Sequence, residues 1–223
     1  GRACYLGSDF NIKGIGRTQL AKNPPYSIHG NGRMALENAI REAMMSNYIF
    51  ENTLTGTSPV LAVIALKTKD KYHWIKKPIH NALLVRLDEG SLDRISHREY
   101  HNIKRNISLG SLIKKYAIFD AEMFSHRILH GAWSTGNISL NGQWLDMESA
   151  SFISGRGARY SITKKYISNY FGYESIGIKQ AIRQLIEIHK PSFAGKDWQN
   201  IFDSERAKQM SYEILRLLGI NIK

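Results

Sequence analysis

Alternating apolar and polar positions mark a first short strand at Phe10 to Lys13, broken by Gly14 and Gly16. Arg17 to Gly32 holds Pro24-Pro25 and further turn formers, and reads as a loop with functional potential. A helical period follows, with Leu36, Ala39, Ile40, Ala43 and Met44 on one face of a helix predicted over Arg33 to Ile49. Pro59 to Lys67 and Asn81 to Leu87 are β-branched apolar runs that read as strands, joined by a basic loop from Lys67 to His80. Leu112, Ile113, Tyr116, Ala117, Phe124 and Ile128 share a face of a second helix, over Leu112 to Leu129, with a stop at His130-Gly131. Ile138 to Leu140 and Gln143 to Leu145 flank Asn141-Gly142, the preferred dipeptide of a two-residue type I′ hairpin turn. Ser151 to Tyr160 is a Gly- and Arg-rich loop. Helices are predicted over Lys179 to Lys190, stopped by Pro191, and Ser204 to Leu218, stopped by Gly219. There is no internal repeat. A strand-rich first part with one long helix, then a mainly helical part with one hairpin, is an α+β layout.

Three of these elements carry candidate chemistry. Pairing Leu140 with Gln143 would set Asn137 directly opposite Asp146, with Cβ atoms about 4.5–5.5 Å apart. An amide oxygen and a carboxylate so placed can share a hard cation such as Mg²⁺; an ordinary solvent-facing hairpin ending in a polar pair fits the pattern equally well. Glu42 lies at the flank of the first helix's apolar face, and its helical neighbours Ala35, Ala39 and Ser46 are small. They leave room for a long partner side chain, for which Lys13 is the candidate. Arg86 ends an otherwise apolar strand and Arg94 follows an acidic turn, positions that suit either a surface ion pair or an anion ligand.

Composition narrows the class. With 223 residues, 43% of them hydrophobic, the chain can bury a substantial core as one domain or two lobes. The longest uncharged apolar run, Val60 to Leu66, is far short of the ~20 residues that cross a bilayer, and no signal-peptide succession opens the chain. The single cysteine, Cys4, excludes an internal disulfide and fits a reducing, cytoplasmic setting. A chain beginning at Gly1 reads as an excerpt or a processed product. The net charge of +12 favours an anionic partner such as a nucleic acid, a phosphorylated metabolite or an acidic protein, although a basic surface also serves solubility. The basic residues are dispersed, and neither an RNA-recognition signature nor a zinc-finger spacing occurs, so nucleic acid is not the expected partner. His97 and His101, one helical turn apart, could join His126 or His130 around zinc, but the HExxH order is not met. Neither Gly14-Ile15-Gly16 nor Gly155-Arg156-Gly157 continues into a P-loop.

A strand lysine, a helix glutamate, and an Asn followed by a hairpin and an Asp keep the order of parts found in protein kinases, without the HRD motif or the DFG glycine. The wording is closer to another group. IKGIGRT at Ile12 to Thr18 resembles LKGAGRTP of the selenoprotein O (SelO, YdiU) family of kinase-fold protein adenylyltransferases. HGNGRMALENAIREAM at His29 to Met44 resembles its GDGRAVLRSSIREFL, and NALLVRLDEGSLDR at Asn81 to Arg94 its GAMLLRLAPSHVR. HGAWSTGNISLNGQWLDME at His130 to Glu148 is similar to its HGVMNTDNMSILGLTIDYG. The matches keep the same order over about two thirds of the chain.

The resemblance implies a kinase-like, two-lobed fold, with residues 1–87 as the N-lobe and 88–223 as a shortened C-lobe. It implies a catalytic pair in which Lys13 contacts the phosphates of ATP and Glu42 anchors Lys13. Arg86 and Arg94 would bind the phosphates of a nucleotide held in reverse, and Asn137 and Asp146 would bind Mg²⁺, for which Mn²⁺ can substitute. The spacing from Arg86 to Arg94 is one residue longer than in the family. The implied reaction moves AMP from ATP to a Ser, Thr or Tyr hydroxyl of a protein or peptide; the alternatives are a nucleotide-binding pseudoenzyme or scaffold, and a phosphoryl-transferring kinase-like enzyme. A basic nucleic-acid binder is supported by charge alone. Two departures stand inside the site. Gly136 replaces the acidic residue before the metal-binding Asn, a loss worth about 10²–10⁴ in rate if that acid is a general base. Glu148 replaces a glycine, as a substitute carboxylate or a salt-bridge partner. The chain also opens inside what resembles a GDGRA element, at Gly1-Arg2-Ala3, and carries no terminal redox-active Cys or selenocysteine.

Overall fold

The computed structural model describes residues 3–6, 9–17, 31–71, 77–87, 109–131, 135–139, 142–153, 175–184, 186–187 and 197–220. Strands β1 (Ala3–Leu6) and β2 (Phe10–Lys13) form an antiparallel hairpin that pairs Ala3 with Lys13. The sheet is built around β5 (Ile79–Leu87). Along one edge of β5 run β2, with Lys13 opposite Leu84, and then the two-residue β3 (Met34–Ala35), with Met34 opposite Ala82. Along the other edge runs β4 (Val60–Asp70). Gly14 makes the step from β2 towards β3 possible. Its φ is +95°, and a Cβ there would lie 2.5 Å from the Ala82 carbonyl oxygen and 2.9 Å from the Met34 Cβ.

Helix α1 (Leu36–Asn52) follows β3 directly. Its inward face is Ala39, Glu42, Met45, Ser46 and Ile49. That face is rotated from the expected stripe: Ile40 and Met44 are 46% and 69% exposed. The reason lies at Glu42, whose carboxylate meets buried cations and turns the helix so that the residues a turn on either side, Ala39, Met45 and Ser46, go inward with it. Ala39 packs with Met34, Val60, Ala82 and Leu84 under the sheet, while Met45 and Ile49 join a second, larger core. α1 therefore serves both cores.

The second core is centred on α2 (Leu109–Ser125), which is buried on most of its circumference. α2 ends four residues before the expected Leu129. A turn at His126-Arg127, with Arg127 at φ 56°, leads into β6 (Ile128–Leu129), which pairs with β7 (Ser151–Phe152). Phe124, expected to face inward, is 36% exposed and lies under the Arg206 guanidinium. Helical residues 175–184 (α3) contribute Ile178, Ala181 and Ile182, and α4 (Asp197–Leu217) contributes Trp198 and Phe202. α4 begins seven residues before the expected Ser204 and packs along α2, where Arg206 pairs with buried Asp120. The architecture is α+β, and among the described residues no helix is long and apolar enough to cross a membrane.

Candidate functional site

The alternation along β2 puts Asn11 and Lys13 on the same face of the strand. Across the ladder Arg86 opposes Asn11 and Leu84 opposes Lys13, so the basic side chains of both strands lie on the face that α1 covers. Lys13 is 2% exposed and Arg86 4%. Lys13 Nζ lies 2.5 Å from Glu42 Oε2, and Arg86 Nη1 lies 3.5 Å from Glu42 Oε1, so one buried carboxylate bridges two buried cations. Arg86 Nε also donates to Asn11 Oδ1 at 2.9 Å. Asn11 escaped the sequence reading although the alternation that places Lys13 inward places Asn11 there as well.

The hairpin after α2 completes the cluster by another route than expected. Ile138 bridges to Trp144, Ser139 N–H donates to Gln143 O at 2.9 Å, and Leu145 N–H donates to Asn137 O at 2.9 Å. This register is one residue off the expected one: Asn137 stands opposite Leu145, not Asp146, and Gln143 is bonded by Ser139, while Leu140, its expected partner, lies outside the described residues. Gly142, at φ +84°, donates to Ser139 O at 3.0 Å, and of the Asn141-Gly142 dipeptide expected to form a two-residue type I′ turn, Asn141 lies outside the described residues. Packing decides between the registers, since a slip by one residue exchanges the faces of the strands. The observed one buries both Ile138 and Trp144, with Trp144 stacked on Phe119 at 4.4 Å between centroids.

Asp146 reaches the site through a left-handed bend, φ 67° and ψ 48°, a conformation that Asp adopts more readily than most residues. The one-turn segment Met147–Ser149 follows and packs against α1. Asp146 Oδ1 accepts from Lys13 Nζ, and Glu148 Oε2 lies 3.4 Å from the same nitrogen. Asn137 ends the turn Thr135–Asn137, is 9% exposed, and is tied to the Asp146 segment by its backbone carbonyl. Gly136 sits in the middle of that turn. Arg94, His97 and His101 lie outside the described residues.

The structure thus gathers Glu42, Asp146 and Glu148 around the Lys13 ammonium, with Arg86 on the other oxygen of Glu42. Carboxylate oxygens of Glu42, Asp146 and Glu148 lie within 4.8 Å of one another. Oxygen donors in this number, with the Asn137 amide nearby in the chain, suit a hard divalent cation rather than zinc. Two residues beyond Lys13 opens a cavity of about 600 Å³, bordered by Gly16, Arg17, Asn31, Arg33, Asp70 and Lys71. Arg33 and Asn31 both bond Asp70 there.

Neighbouring contacts make the frame stiff. Tyr116 O–H donates to Ser139 O at 3.0 Å, and burial pushes the Tyr116 hydroxyl's pKa well up. His130 Nε2 lies 2.8 Å from Leu145 O; a carbonyl only accepts, so Nε2 carries the proton. Burial lowers the His130 pKa, against the opposing pull of that bond and of Asp146. On the opposite side of α2, Glu122 accepts from Leu54 N–H at 2.7 Å and Thr55 Oγ1 at 2.9 Å, and burial raises its pKa. His126 Nδ1 lies 3.1 Å from the Tyr48 hydroxyl.

No family model matches the chain. Individual relatives do. The chain is 24% identical over 208 residues to the protein nucleotidyltransferase YdiU of Trichodesmium erythraeum, covering 75% of this chain and 40% of that protein. It is 27% identical over 173 residues to YdiU of Vibrio atlanticus, with 65% and 33% covered. For YdiU of Bacillus anthracis the figures are 24% over 188 residues, with 69% and 36% covered. The chain spans between a third and two fifths of the length of these curated relatives. The chain is thus similar, at low identity, to proteins named protein nucleotidyltransferase YdiU in three different bacteria.

Proposed function

We propose that the cluster around Lys13 binds ATP with Mg²⁺ and serves the transfer of AMP to a hydroxyl side chain of a protein or peptide, within a kinase-like, two-lobed arrangement. The observation that carries this reading is the buried bridge Lys13–Glu42–Arg86 with Asp146 converging on the same ammonium. Burying so many charges is costly unless they hold one another in place, and a polyanion that displaced one of the carboxylates would meet cations already held in position. Lys13 donates to phosphate oxygens, Glu42 fixes the direction of Lys13, and Arg86, oriented by Asn11, supplies the second positive charge. Arg94 is assigned to the phosphates with it. Asn137 and Asp146 hold the divalent cation, which when bound neutralises phosphate charge. The basic cavity past Gly14 gives the remainder of the nucleotide room.

With ATP reversed, the acceptor oxygen bonds to the α-phosphorus, the bond from that phosphorus to the oxygen bridging to the β-phosphate breaks, and pyrophosphate departs. The hydroxyl proton leaves to a base other than residue 136, since Gly136 has no side chain. The nucleotidyltransferase names of the relatives support the reaction class. Gly136 favours a second reading, a nucleotide-binding pseudoenzyme. ATP labelled at the α or the γ position separates the cases. Transfer of the α label alone is expected, and transfer of the γ label alone would replace this reading with phosphorylation. Binding without transfer of either label would establish the pseudoenzyme.

A further inference from the structure

A lysine ammonium has three N–H donors, and at Lys13 three carboxylates compete for them: Glu42, Asp146 and Glu148. A phosphate oxygen can reach Lys13 only if one of them withdraws. Glu42 is the least free to do so, being 1% exposed and held on its other oxygen by Arg86. Glu148 has the longest contact, 3.4 Å, against 2.5 Å for Glu42. It carries the same sign of charge as the phosphate that would displace it. We propose that Glu148 makes nucleotide binding conditional on a divalent cation: its carboxylate occupies Lys13 in the empty site and turns to the cation when Asn137 and Asp146 have bound one. This rests on the nucleotide-binding reading above.

Glu148 is then a positioning residue acting through Lys13, and its signature is the thermodynamic coupling between cation and nucleotide. Coupling of this kind commonly spans about 5–150-fold in affinity. The test is calorimetric titration of ATP into the chain, with Mg²⁺ and with chelator, for the wild type, Glu148→Gln and Glu148→Gly. The expected result is that chelator-condition binding tightens about tenfold or more in both variants, so that the factor by which Mg²⁺ improves binding shrinks. A purely structural role for Glu148 would not move that ratio. An unchanged ratio, or a ratio reduced only because Mg²⁺-dependent binding weakens, overturns the proposal and leaves the nucleotide-binding reading intact. No ATP binding in any of the three, under either condition, overturns both.

Discussion

Lys13 is the residue on which the site turns, because its removal leaves Glu42, Asp146 and Glu148 facing one another without the cation they share. Breaking a buried ionic cluster from one side costs more than the cluster itself contributes. Lys13→Met is expected to lower stability by about 3–5 kcal/mol, read from the denaturant midpoint. Adding Glu148→Gln to that variant should recover part of the loss, since it removes one of the like charges left behind. Additive losses in the double variant would mean that the carboxylates do not interact. The sequence made the Lys13–Glu42 meeting legible through the small residues around Glu42. It hid Asn11 and the burial of Arg86, because a lone Arg at a strand end has the same pattern whether it faces water or a helix.

At the scale of elements, the strands β2, β4 and β5 and the helices α1 and α2 were readable from periodicity, while faces and registers were not. The α1 stripe misled because the inward face contains Glu42 and Ser46, which an apolar count discards, and leaves Ile40 and Met44 outside. The hairpin misled because Asn-Gly specifies a turn only when packing agrees, and the burial of Ile138 with Trp144 selects the other register. The hairpin's hold on its neighbours through His130 is open to test by pH. His130 is neutral in the fold, with its pKa lowered by burial, so the unfolded chain binds the extra proton first. The stability it supports is complete above about pH 6.5 and declines as the pH falls through that value and below. The buried acids Asp120 and Glu122, with raised pKa values, act in the opposite direction, so the comparison needs a variant. Melting temperatures between pH 7.5 and 5.5 should fall less steeply in His130→Gln than in the wild type, whereas parallel curves would show that His130 does not titrate with unfolding.

For the whole molecule, the charge of +12 is spread over the chain and only part of it serves the site, where Lys13 and Arg86 are both spoken for by acids. Composition therefore pointed to an anionic partner without locating it; the location came from the order of motifs and from the convergence of β2, β5, α1 and the segment after Leu145. Arg94 falls outside the described residues, so its part in the site stays with the motif. Mg·ATP bound at this convergence would be read from the melting temperature with and without Mg·ATP, for the wild type and for Asp146→Ala. A ligand at about a hundred times its Kd adds about 2.7 kcal/mol, which for a chain of this size is a rise of about 5–10 °C. That rise is expected in the wild type and should be lost in Asp146→Ala; no rise, or an equal rise in both, would rule out Mg·ATP binding at this site.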